Sequence, residues 1–206
     1  AVWLLGRPRG GWGDAVGADD YRLGAMIAEY LVARGHRRVA FVNPKPDHLL
    51  FMRREDGLLG AARRLGLSVQ CFCSAPPGGW EFPLQAPTHV EMVQHLVDQV
   101  LATRPRPTVI VAAVDSVAAL IYRALAVREL RVGRDISVIS GNADHRLIAP
   151  LHPQLTTLDI HPFEIGRRAV QQLALRLADP NPWPDGDWTV HPTLLEGESV
   201  VTIVAK

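Results

Sequence analysis

Short apolar runs alternate along this chain with longer segments whose apolar positions recur every three or four residues. The runs at 1–5 (AVWLL), 39–42, 68–73 and 108–114 (TVIVAAV) predict strands, as do 136–140 and 155–160. Asp19 or Asp20 is placed to cap a first helix, which carries Leu23, Ile27, Tyr30 and Leu31 on one face and meets Gly35 at its exit. A second helix spans about 50–65 and ends at Gly66. Thr88-x-x-Glu91 reads as a capping box for a third, which carries Val93, Leu96, Val97, Val100 and Leu101. A fourth covers about 116–130. Pro162 opens a fifth that reaches about 178, because proline's missing N–H costs nothing in a first turn. Residues 6–17, 74–87, 141–145 and 180–187 read as loops, and 188–195 and 199–204 as short apolar runs.

Strands that are apolar throughout, separated by helices, predict a parallel sheet covered on both faces. Right-handed crossovers place every strand-to-helix loop of such a sheet on one edge. Ligands in these folds bind outside the carboxyl ends of the strands. The segments to inspect are therefore 43–50, 74–88, 114–116 and 141–149.

Composition narrows the classes. With 48% hydrophobic and 21% charged residues in 206, the chain has a globular rather than a disordered balance, and no run approaches the ~18 apolar residues of a membrane helix. The formal charge is +1, and the basic pairs Arg37-Arg38, Arg53-Arg54, Arg63-Arg64 and Arg167-Arg168 lie within or at the ends of helical patterns. They read as solvated faces, so the charge distribution does not by itself predict nucleic-acid contact. Cys71 and Cys73, two residues apart on a strand, share a face and are expected as free thiols. No phosphate loop, nucleophile elbow, His-Glu-x-x-His or paired-cysteine metal motif occurs.

The loop ends hold the candidate chemistry. Arg54, in Arg54-x-x-Gly57, offers a guanidinium that clamps hydroxyls or a carboxylate, or is an exposed helix arginine. Asp115 directly follows TVIVAAV and either accepts from ligand hydroxyls or caps the next helix. Asn142 and Asp144 follow the strand ISVIS, as acceptors or as an Asx turn. Trp80 lies in the Pro/Gly-rich loop, where an indole face stacks on a flat ligand or covers apolar surface.

Five segments in order carry a resemblance: DDYRLGAMIAEYLVARGHRRVAFV, RREDGLLGAARRLGL, RPTVIVAAVDSVAALIYRAL, VGRDISVIS and PQLTTLDIHPFEIGRRAVQQL. From about Asp19 to Ser199 the chain resembles the effector-binding module of the lactose-repressor/galactose-repressor family of bacterial transcription regulators. The resemblance implies an α/β, two-lobed, periplasmic-binding-protein-like fold, with parallel sheets flanked by helices and a first lobe that is incomplete. By that likeness residues 1–43 and 160–192 form the first lobe, and 44–159 and 193–206 the second. Further strand–helix units and a helix-turn-helix DNA-binding domain are expected upstream.

Carried over position by position, the resemblance implies ligand contacts at Asp19, His48, Arg54, Trp80, Asp115, Asn142 and Asp144. Two departures stand out. Val114 occupies the place of an asparagine, and Asn142 the place of a sugar-binding carboxylate, which puts a plain hexose in doubt. The implied function is an effector-sensing, homodimerising regulator core in the cytoplasm. It would bind DNA through a domain outside this chain and need no cofactor, catalysis or membrane. The helix over 88–103 and the segment 115–130 are the apolar surfaces to check for a dimer contact. A transport binding protein and an α/β enzyme are the competing readings.

Overall fold

The computed structural model describes residues 1–7, 10–74, 88–179 and 184–203. The chain runs β1 (Val2–Leu4), β2 (Asp14–Ala18), α1 (Asp20–Ala33), β3 (Arg38–Asn43), α2 (Leu49–Leu65), β4 (Ser68–Cys73) and α3 (Val90–Ala102). It continues through β5 (Val109–Ala112), α4 (Asp115–Val127), β6 (Ser137–Asn142), α5 (His145–Ile148), β7 (Thr156–Asp159), α6 (Pro162–Ala178), β8 (Asp187–Val190) and β9 (Thr193–Leu195).

Two sheets result among the described residues. The larger has the order β4-β3-β5-β6-β7-β9, parallel except for the terminal β9; the smaller has the all-parallel order β1-β2-β8. In the larger sheet, alternate residues divide between two cores. Val39, Phe41, Val111 and Ile139 face α1 and α2, whereas Ala40, Val42, Ile110 and Val138 face α3 and α4. Burial on both faces explains the unbroken apolar run of β5. The first core continues into the smaller sheet through Val16, Ala18 and Val190.

Several expectations are corrected here. The stretch 6–17 is not all loop: β2 begins at Asp14 and forms the centre of the smaller sheet, its glycine and alanines concealing a strand. The apolar run 188–195 is two strands in different sheets, and 199–203 forms no strand. β3, expected with the first lobe, pairs with β4 and β5 in the larger sheet. Helix α3 starts with His89 as its N-cap and makes no side-chain cap bond, so Thr88 stands one residue too early for a capping box. Cys71 and Cys73 are free thiols, as expected. No helix among the described residues is long and apolar enough to cross a membrane.

Candidate functional site

Two glycines bring the site together. A Cβ added at Gly57 would lie 1.9 Å from the carbonyl oxygen of Tyr21, and one at Gly24 would lie 2.0 Å from that of Arg54. Only glycine allows α1 and α2 to cross at this separation, and the crossing sets Asp20 of α1 against Arg54 of α2. Both side chains are buried. Arg54 Nε donates to Asp20 Oδ1 at 2.7 Å, Nη1 to the Ala113 carbonyl at 2.8 Å and Nη2 to Asn142 Oδ1 at 2.8 Å. One guanidinium thus ties α1 to the carboxyl ends of β5 and β6.

Asp115 is wholly buried at the start of α4. Its carboxylate accepts from the Ser140 hydroxyl, from Thr157 Oγ1 at 2.8 Å and from the Asp144 amide at 2.8 Å. Burial pushes the Asp115 carboxyl above its ordinary value, opposed by those donors and by the charge of Arg54. Asp20 is raised for the same first reason, opposed chiefly by Arg54. Between these groups Asn142 and Ala143 take positive φ of 128° and 56°. Two successive non-glycine residues in that region are strained and persist only where neighbours fix them, as the Arg54 and Asp115 bonds do here.

Four other expected positions are found in the structure or lie beyond its description. Asp19 is the N-cap of α1 and accepts from the Arg22 amide at 2.9 Å. Asp144 is the N-cap of α5 and accepts from the Arg146 amide at 3.1 Å. His48 sits at the N-cap position of α2 without capping it, and its ring stacks on Phe51 at 4.2 Å. Burial, then the charges of Lys45 and Arg54, lower its pKa to about 4. Trp80 lies outside the described residues.

Beside this network, a pocket of about 250 Å³ opens between the smaller sheet and the first turns of α2. Leu5, Gly6, Gly17, Leu49, Arg53 and Trp188 line it; Arg54, Asp115 and Asn142 do not. Sequence reasoning overlooked the pairing of Asp20, the pocket position of Arg53 and a third buried carboxylate, Asp14. That last group accepts from Arg176 Nε at 2.7 Å, Gln172 at 2.9 Å and the Gly186 amide at 2.9 Å, and Arg176 holds it far below the usual carboxylate range. No local motif marks any of the three, because the partners of Asp20 and Asp14 and the pocket wall facing Arg53 come from far along the chain. Among the described residues no cluster of His, Cys, Asp and Glu is suited to a metal ion.

Comparison with known proteins places this arrangement. The ribose operon repressor of Escherichia coli (strain K12) is 29% identical over 157 residues, covering 76% of this chain and 44% of that protein. The HTH-type transcriptional repressor PurR of Erwinia tasmaniensis is 28% identical over 195 residues, covering 95% and 54%. The chain therefore spans about half the length of the curated relatives it matches. A LacI transcriptional regulator from a Rhodococcus species superposes with a TM-score of 0.79 at 26% identity, over 98% of this chain and 70% of that one. A LacI family regulator from Enterococcus faecalis V583, solved with bound ribose, gives 0.78 at 24% identity, over 98% and 69%. The periplasmic binding protein-like domain model matches residues 28–200, and the chain belongs to that family.

Proposed function

We propose that this chain is the ligand-sensing part of a bacterial DNA-binding transcription regulator. A small molecule is held where the carboxyl ends of the two sheets approach each other, and its binding favours one relative arrangement of the sheets. No bond is made or broken. Arg54, Asp20, Asn142 and Asp115 form the braced wall of the cleft on the larger sheet, with Asp19, His48 and Asp144 at the helix starts around it. The observation that carries the reading is membership of a family whose matching relatives include the ribose operon repressor and the repressor PurR. It favours regulation over a transport binding protein or an enzyme. DNA contact through a helix-turn-helix domain outside this chain, homodimerisation and a cytoplasmic location belong to the same reading.

A ligand shifts such an equilibrium only by its differential affinity, ~1–3 kcal/mol in typical cases. The test uses the full-length protein. A panel of pentoses, hexoses, nucleobases and small acids is screened by thermal shift, and each hit is added to an operator-binding titration. The expected result is a compound that raises the melting temperature and changes DNA affinity. Stabilisation with no change in DNA affinity would fit a binding protein for transport instead.

A further inference from the structure

The polar groups at the cleft divide unevenly. Each carboxylate around the cleft already holds at least one protein donor: Asp115 takes three, Asp20 takes Arg54, and Asp19 and Asp144 take the amides of their own helices. One donor at the pocket holds no acceptor. Arg53, exposed at the pocket and one residue from the clamped Arg54, makes no hydrogen bond or ion pair among the described residues, and its charge acts as a field at Asp20. The other charged groups lining the pocket, Arg7 and Asp187, are 3.1 Å apart and neutralise each other.

The start of α2 adds a further feature of the same sign. Helix α2, 17 residues long, starts without a side-chain cap and without an acid in its first turn, and its first residue, Leu49, lines the pocket. Peptide dipoles leave partial positive charge at such an end.

A neutral polyol needs acceptors for its hydroxyl protons, and Asp187, the carboxylate that lines the pocket, is already paired with Arg7. An oxyanion needs donors and positive charge, and here they are unmatched. We propose that the molecule taken up in this cleft carries an anionic oxyacid group, a carboxylate or a phosphate, which pairs with Arg53 at the α2 end of the pocket. Its less polar part rests against Leu49 and the half-exposed indole of Trp188. The proposal rests on the ligand-sensing reading above and specifies its ligand.

Matched pairs test it by calorimetry on the full-length protein: ribose against ribonate and ribose 5-phosphate, and glucose against gluconate and glucose 6-phosphate. In at least one set an acid is expected to bind about tenfold tighter than its neutral parent, the scale of one charge-assisted hydrogen bond. That ratio should shrink at high salt, fall toward one in Arg53→Gln and be largely restored in Arg53→Lys. Preference for carboxylate or phosphate identifies the group. A neutral sugar binding as tightly as its acids, or a ratio untouched by Arg53→Gln, overturns the proposal alone. Silence from every compound overturns it together with the ligand-sensing reading.

Discussion

Arg54 shows how a side chain's surroundings decide its role. Read in sequence it offered a clamp for a guest; in the fold its nearest contacts are Asp20, Asn142 and a main-chain carbonyl. Breaking a buried ion pair costs more than replacing both partners with apolar groups. Asp20→Asn is therefore expected to destabilise the protein by ~3–5 kcal/mol, and the double variant Asp20→Leu/Arg54→Met to recover most of that loss, both read from urea unfolding midpoints. Equal loss in single and double variants would show that the pair's shape, not its charge, matters. His48 supplies a pH signature. Burial and the nearby cations hold its pKa in the fold at about 4, below the ordinary histidine value of 6.5, so on acidification the unfolded chain takes up a proton that the folded one refuses. Stability should fall as the pH drops through this interval and be retained above it. His48→Gln should flatten that part of the profile. Asp115 is visible as a candidate because it follows an apolar run directly, and Arg54 because it opens Arg54-x-x-Gly57 early in a helix. Asp20 looked like a second choice for a helix cap, since nothing local announces a partner 34 residues away.

Among the elements, the crossing of α1 and α2 depends most on residue size. Glycine inside a helix ordinarily weakens it by ~1 kcal/mol relative to alanine. Gly57→Ala should nonetheless destabilise, because the new methyl would stand 1.9 Å from the Tyr21 carbonyl oxygen, and overpacking of that kind costs ~1–3 kcal/mol or more. Gly166→Ala, in α6 with open space at its Cβ position, should stabilise by ~0.5–1 kcal/mol. Opposite signs in thermal unfolding would separate packing from helix propensity; a gain at both sites would mean that the helices lie farther apart than described. The helices themselves were readable to within a few residues, since apolar periodicity and exit glycines are local signals. β2 was not, because its Gly and Ala residues resemble a loop until β1 and β8 pair with it. Nor was the four-residue α5, too short to show a period. Sheet membership of β3 is a matter of distant pairing, to which local pattern is blind.

At the scale of the whole molecule, the reading predicts that a ligand at a hundred times its Kd adds about 2.7 kcal/mol to the unfolding free energy. Amide exchange should slow on both sides of the pocket, at 4–6 and at 48–53, and a change confined to one side would place the ligand elsewhere. The chain passes between the two sheets at Ala18–Asp20, Asp159–Pro162 and Val190–Thr193. These strands of backbone are stitched to each other: the Asp19 amide donates to the Val190 carbonyl at 2.9 Å, and His161 Nε2 meets Thr193 Oγ1 at 3.0 Å. Three tethers fastened side by side leave little freedom to slide or twist apart. What they permit is a swing, like a door on one row of pins, so a single spectroscopic distance from one side of the row to the other would track how far it stands open.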